Sequence, residues 1–222
     1  CSFCSVSAFN GRRFRRRPLD SVIEELETIP QKMVSIVDDN IIGYGMQDLE
    51  WTLAFFHRIL ERGIKKVFIA QSSIDFGEDP ELVRLASKAG LKIIFVGMES
   101  VNPKSLQSYR KTVNLHQLQR NRYNELIKTI RREGILFLGA FVVGSDEDDL
   151  SIFHSTLQFV KSSRIDVLQV TKLTPLPGTQ LWESLQKEGR IPVNNFPKAW
   201  SDFRLSKMVF KPAQMSVEEV YE

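Results

Sequence analysis

Ile135-Leu136-Phe137-Leu138-Gly139-Ala140-Phe141-Val142-Val143 runs without a charge into Gly144-Ser145-Asp146. Nine apolar residues in a row leave no polar alternation, so the run reads as a strand covered on both faces, as strands inside a parallel sheet are. Working outward, Met33–Val37, Val67–Ala70, Lys92–Met98 and Val167–Leu173 carry the same Val, Ile and Phe enrichment and read as four more strands.

Helical patterns fill the gaps. Leu19, Val22, Ile23, Leu26 and Ile29 mark one apolar face behind Pro18, and Leu49, Leu53, Phe56 and Leu60 mark a second, stopped at Gly63. Leu82, Val83, Leu85, Ala86 and Ala89 form a third, closed by Gly90, and a long fourth helix is predicted from about Leu115 to Glu133. A fifth is predicted to open at Ser145, with Asp146, Glu147, Asp148 and Asp149 complementing its dipole. A sixth follows Pro177-Gly178-Thr179 and carries Leu181, Trp182 and Leu185. Strict β/α alternation implies right-handed crossovers and an α/β fold with a parallel sheet, open or closed into a barrel. The chain begins in a loop, so a first strand is expected upstream of Cys1. Beyond Arg190 the pattern loosens, with a final strand expected near Met208–Phe210 and the start of a helix from Ser216 to Glu222. Residues 1–190 thus read as the core and 191–222 as the start of a C-terminal extension.

A chain of 222 residues with 42% hydrophobic and 26% charged residues is an ordinary globular domain with room for one sizeable core. No apolar run approaches the ~20 residues of a membrane-spanning helix. The only two cysteines, Cys1 and Cys4, cannot build a disulfide framework, which points to a reducing, cytoplasmic setting. The net charge of +3 comes from Arg12, Arg13, Arg15, Arg16 and Arg17, without which the balance is acidic. The sequence is not that of a general polyanion binder.

In parallel β/α folds the rim at the strand C-termini builds the site. There the first strand ends in Asp38-Asp39-Asn40, the third in Gly97-Met98-Glu99-Ser100, the fourth in Gly144-Ser145-Asp146 and the fifth in Thr174-Pro175-Leu176-Pro177-Gly178-Thr179. Carboxylates on separate strands beside a Cys-x-x-Cys pair call for a cationic partner. The plainer alternative is that Asp38 and Asp39 cap a loop and Glu99 pairs with a nearby lysine.

Cys1-Ser2-Phe3-Cys4 resembles the last two cysteines of the Cys-x-x-x-Cys-x-aromatic-Cys signature of the radical S-adenosylmethionine superfamily. The Asp38-Asp39-Asn40 ending resembles the second-strand motif of its cobalamin-binding-domain-associated subgroup. Gly97-Met98-Glu99-Ser100-Val101-Asn102 resembles the fourth-strand motif, and Pro175-x-Pro177-Gly178-Thr179-x-Leu181 with Gly189-Arg190-Ile191 the segment after the sixth strand. The resemblance implies a partial (β/α)6 TIM-like barrel lacking its first strand. It implies that Cys1 and Cys4 ligate a 4Fe–4S cluster, with Phe3 beside the adenine of S-adenosylmethionine. Asp38, Asp39, Glu99 and Ser100 then hold that cofactor's cationic and ribose groups, and Gly144 with the backbone from Phe141 offers edge hydrogen bonds to the base. The implied activity is reductive cleavage to a 5′-deoxyadenosyl radical, for methylation or rearrangement of a small-molecule substrate. A flavodoxin or ferredoxin would be the electron donor, cobalamin would enter through an upstream domain, and nucleic acid is not an expected partner. The first cysteine of the signature would lie four residues before Cys1. No catalytic base is identified.

Other readings stand beside this one. They are a zinc module or thioredoxin-like pair built on Cys1 and Cys4, a lipoprotein matured at Cys1, a β/α scaffold that lost its cluster, and a methylthiotransferase-like RNA-modifying enzyme. The arginine run reads as structural or interdomain, and His57, His116 and His154, without ligand spacing, as surface or core residues. Trp182 reads as packing, and Lys111 as a solvated lysine.

Overall fold

The computed structural model describes residues 1–11, 14–193 and 195–221, so Arg12 and Arg13 of the arginine run lie outside it. Five strands form one parallel sheet in sequence order: β1 (Met33–Ser35), β2 (Val67–Ser72), β3 (Leu91–Glu99), β4 (Leu136–Val143) and β5 (Val167–Lys172). Nine helices accompany them among the described residues: α1 (Val6–Asn10), α2 (Leu19–Thr28), α3 (Met46–Glu61), α4 (Pro80–Lys88), α5 (Pro103–Ser108), α6 (Thr112–Gln119), α7 (Tyr123–Arg132), α8 (Ser151–Ser163) and α9 (Gln180–Lys187). None is long and apolar enough to cross a membrane.

The two faces of the sheet do different things. Phe68, Ala70, Ile94, Val96, Met98, Phe137 and Phe141 point outward into a core shared with Phe55, Phe56 and Ile59 of α3, Leu82 and Val83 of α4, and Leu126, Ile127 and Ile130 of α7. Each such fully buried side chain contributes about 1.5–3 kcal/mol. The alternate residues Gln71, Phe95, Gly97, Ala140, Val142, Gln169 and Thr171 line one concave cavity. The sheet is therefore curled into a half-barrel, the partial α/β barrel expected. Gly90 ends α4 at φ 107°, where a Cβ would sit 2.2 Å from the Lys66 carbonyl oxygen, so only glycine fits that stop.

Several local expectations are corrected. The long fourth helix is two, α6 and α7, broken where Asn121 takes a left-handed φ of 54° and the Tyr123 hydroxyl donates to the Asn114 carbonyl at 2.9 Å. The fifth helix starts at Ser151 and not at Ser145. Asp148, expected in its first turn, is instead fully buried in the preceding loop, accepting from the Gly144 and Ser145 amides and the Ser105 hydroxyl. On α3 the core face is Thr52, Phe55, Phe56 and Ile59, while Leu60 is exposed. Met208–Phe210 forms no strand, and the described residues after Ser216 form turns and not a helix.

The segment from residue 191 onward packs back on the core. Met208, Phe210, Met215 and Val220 bury with Val142 and Val143 of β4, Tyr109 and Leu173. Arg190 latches this segment with a two-pronged grip on Asp146, the Nη1–Oδ2 contact being 2.8 Å, while the Ala213 amide donates to the same carboxylate. The Arg190 hydrogen bond holds the Asp146 carboxyl below its ordinary value of 3.8. A lowered folded-state value means the contribution is whole above the ordinary carboxylate range and is lost as pH falls through the depressed one. Arg190→Ala is expected to lower stability by roughly 1–3 kcal/mol, the range for a charge-assisted hydrogen bond, read as a lower thermal midpoint. Acidification below about pH 4 should weaken the same latch in the wild type, read as a fall in thermal midpoint, and the fall should be smaller in Arg190→Ala.

Candidate functional site

The cysteine loop is fixed from both sides. The Ser2 amide donates to the Tyr109 carbonyl at 2.9 Å and the Ser2 hydroxyl to the Ser108 carbonyl at 3.0 Å, both at the end of α5. From the other side the Leu181 amide of α9 donates to the Ser2 carbonyl at 3.1 Å. The Phe3 ring packs edge-on against Tyr109 at 4.9 Å. Tyr109 itself is buried, and desolvation, helped by the charge of Asp148, pushes its phenol far above the ordinary value, so it stays neutral. Cys1 and Cys4 are unpaired thiols. Both line the cavity of about 750 Å³ that fills the mouth of the half-barrel, a volume suited to a small-molecule ligand.

Asn40 anchors the loop after β1. Its side-chain amide donates to the Gly43 carbonyl at 2.7 Å, and its oxygen accepts from the Ser72 hydroxyl and the Ser73 amide at the end of β2. This leaves Asp39 on the cavity wall and turns Asp38 to a neighbouring cavity of about 870 Å³, which Cys1 and Cys4 also border.

At the end of β3 the register shifts between Gly97 and Glu99, and Glu99 adopts a left-handed φ of 65°. Such a conformation in a residue other than glycine costs of order 1–3 kcal/mol and persists only where its surroundings impose it. Here it folds the Glu99 carboxylate back over Gly97, where a Cβ would lie 2.4 Å from Oε1. Lys111 Nζ meets that oxygen at 2.8 Å, and both side chains are mostly buried. Asn114 holds the bulge by donating to the Gly97 and Met98 carbonyls.

The structure thus brings Cys1, Phe3, Cys4, Asp39 and Glu99 to one cavity. It does not bring Ser100 and Gly144 there. Ser100 is buried, and its hydroxyl accepts from the Asn102 amide. Gly144 gives its amide to Asp148, and the Val143 carbonyl accepts from Leu173. Lys111 is not a solvated lysine but the partner of Glu99, which makes the plainer expectation for Glu99 the observed one. Arg16 is structural: it bonds Asp48 at 3.2 Å and lies over the rings of Phe14 and Trp51. Trp182 packs against Phe196, Trp200 and Phe203, and the three histidines are exposed on separate helices. Among the described residues no three His, Cys, Asp or Glu side chains are grouped to hold a metal ion.

One cavity carboxylate escapes a reading that ends the second strand at Ala70. β2 continues to Ser72, and Asp75 stands three residues beyond it in a short 3₁₀ turn, Ile74–Glu78, with Ile74 and Phe76 fully buried on either side. Ending the strand at the right residue is the signal that would have found it.

Comparison with known proteins bears on the same residues. The Radical SAM superfamily matches over residues 1–160. The chain is 29% identical to the bacteriochlorophyllide d C-12(1)-methyltransferase of Chlorobaculum tepidum, over all of this chain and 46% of that protein. It is 28% identical to the hopanoid C-2 methylase of Rhodopseudomonas palustris, over 92% of this chain and 39% of that protein. The chain thus spans less than half the length of these relatives. Among solved structures, the radical S-adenosylmethionine methyltransferase TsrM from Kitasatospora setae, with cobalamin and a [4Fe–4S] cluster bound, superposes with a TM-score of 0.70 at 16% identity, covering 85% of this chain and 35% of that one. The cobalamin-dependent enzyme OxsB, with aqua-cobalamin and S-adenosylmethionine bound, gives 0.69 at 13% identity, covering 88% and 35%. These two likenesses are of fold. With the family match extending over well more than half of its residues, and with a half-barrel that agrees, this chain belongs to the Radical SAM superfamily.

Proposed function

We propose that the chain is the S-adenosylmethionine-binding half-barrel of a cobalamin-associated radical enzyme that methylates or rearranges a small molecule. The convergence of both thiols, an aromatic ring and carboxylates from three strands on one cavity carries this reading. The donor chemistry fits: two free thiols stand at the rim, the soft ligands that iron–sulfur clusters take, and residues 1–222 provide two of the three thiolates of the resembled signature. When bound, the cluster supplies the electron that breaks a carbon–sulfur bond of S-adenosylmethionine. The chain's own residues position and enclose. Phe3, braced on Tyr109, offers a flat apolar surface, and Asp39 a carboxylate for a hydroxyl or ammonium. Ala140, Val142 and Leu173 add apolar patches to a wall that Gln169, Thr171 and Lys172 also line. A small-molecule substrate is favoured over RNA because Arg16 and Arg17 are already engaged, with Asp48 and Glu25. The relatives' names, bacteriochlorophyllide and hopanoid methylases, favour methylation, and the cobalamin in TsrM and OxsB favours that second cofactor. The electron donor is assigned only by class, as a flavodoxin or ferredoxin.

Anaerobic reconstitution of the full-length protein with iron and sulfide should give the broad visible absorption of a cluster. Reduction in the presence of S-adenosylmethionine should then release 5′-deoxyadenosine. Cys4→Ser should lose most of the bound iron, and full iron retention in that variant would remove Cys4 from the cluster. Gly97→Ala should fold, because its Cβ meets only the ends of two flexible side chains, Glu99 and Lys111, yet displace the Glu99 carboxylate from Lys111. Its thermal midpoint is expected to fall, measured by differential scanning calorimetry, because Lys111 loses its charged partner in a mostly buried position.

A further inference from the structure

Three carboxylates face the cavity, and they are not equivalent. Glu99 is neutralised by Lys111 at 2.8 Å. Asp39 is exposed, so water solvates it. Asp75 is only partly exposed, and among the described residues its Oδ1 is buried without any hydrogen-bond partner. A carboxylate oxygen left in that condition costs of order 1–3 kcal/mol or more, and a group kept that way calls for an explanation. The ligand-free fold therefore carries a penalty at Asp75 that it does not carry at Glu99.

Position supplies the reason. β2 lies between β1 and β3 in the sheet, so Asp75 stands between Asp39 and Glu99 on one wall of the cavity. The 3₁₀ turn that carries it is locked from beneath. Ile74, Phe76 and Gly77 are buried, and a Cβ at Gly77 would lie 2.8 Å from the Leu126 carbonyl of α7. The turn therefore fixes the Asp75 backbone against that helix. Lys111 is occupied by Glu99, and no salt bridge is formed by Asp75 among the described residues. Oδ1 is closed off even from a water molecule, so a donor on a ligand meets the side chain at the part that lines the cavity.

We propose that Asp75 is a binding residue of this site and accepts a hydrogen bond from an ammonium or hydroxyl group of S-adenosylmethionine. Glu99, in turn, acts mainly to hold Lys111 in place. This inference rests on the S-adenosylmethionine-binding role proposed above and redistributes its carboxylates: the charge left for the ligand is that of Asp75.

The test uses the full-length, anaerobically reconstituted protein, with S-adenosylmethionine as the probe. Wild type and Asp75→Asn are compared by calorimetric affinity, by thermal midpoint with and without the probe, and by iron content. Asn keeps the shape and removes the charge. The expected result is an affinity at least about tenfold weaker in Asp75→Asn, from loss of a charged acceptor. Iron content should be unchanged, and the probe-free thermal midpoint unchanged or higher, because an unsatisfied buried charge has been removed. The rise in midpoint on adding the probe should shrink. Equal affinity in the two proteins would overturn the assignment of Asp75. A lower probe-free midpoint with unchanged affinity would do so as well, marking the residue as structural. Absence of any binding by the wild type would instead sink the S-adenosylmethionine reading itself, and the Asp75 assignment with it.

Discussion

Parallel pairing of all five strands is the constraint from which the site follows. A parallel ladder cannot be closed by a tight hairpin, so each strand must be left at one edge and re-entered at the opposite one after a crossover. Every segment leaving a strand is thereby delivered to the same rim. Residues far apart in sequence, Asp39, Asp75, Glu99 and Leu173, become neighbours around one cavity without any contact designed to pair them. The curl of the sheet adds depth: its inward face carries Gly97, Ala140 and Thr171, small side chains that leave volume, while the outward face is filled by phenylalanine and isoleucine.

Hydrogen bonds from two helices hold the cysteine loop at the rim. Ser2 is held by α5 on one side and by the start of α9 on the other. Ser2 therefore ties the thiols to both helices. Tyr109 sits at this junction: its carbonyl takes the Ser2 amide, its ring supports Phe3, and its side chain belongs to the cluster that the segment after residue 191 completes. The Arg190–Asp146 latch and the cysteine loop thus share one packed layer, which joins the segment after residue 191 to the site and gives it more than the part of an appendage.

Much of this was legible in the chain because buried parallel strands announce themselves by uninterrupted Val, Ile and Phe. The five strand positions follow from that signal to within two residues at nearly every end. Asp39 and Glu99 were legible as rim residues for the same reason, and Cys1, Phe3 and Cys4 through the resemblance of their motif. What was not legible depends on tertiary choices. The apolar period runs on across Arg120–Arg122, so nothing local reveals that Tyr123 folds α7 back by bonding Asn114. Met208–Phe210 has strand composition, but its side chains are used to cover β4. Ser100 and Gly144 belong to motifs whose neighbours do line the cavity, yet their own polar groups are consumed by Asn102 and Asp148. The Glu99–Lys111 pair depends on a backbone angle that composition does not encode.

That angle has a consequence for mutational scanning. A left-handed conformation costs an ordinary residue roughly 1–2 kcal/mol and costs glycine almost nothing. Replacing Glu99 by glycine removes the side chain and relaxes the backbone together, whereas valine removes the side chain and worsens the crowding. Substitutions ranked at this position by expression level or heat resistance would place glycine near the top and misreport what the carboxylate does. Only glutamine, which preserves shape and backbone cost alike, isolates the charge.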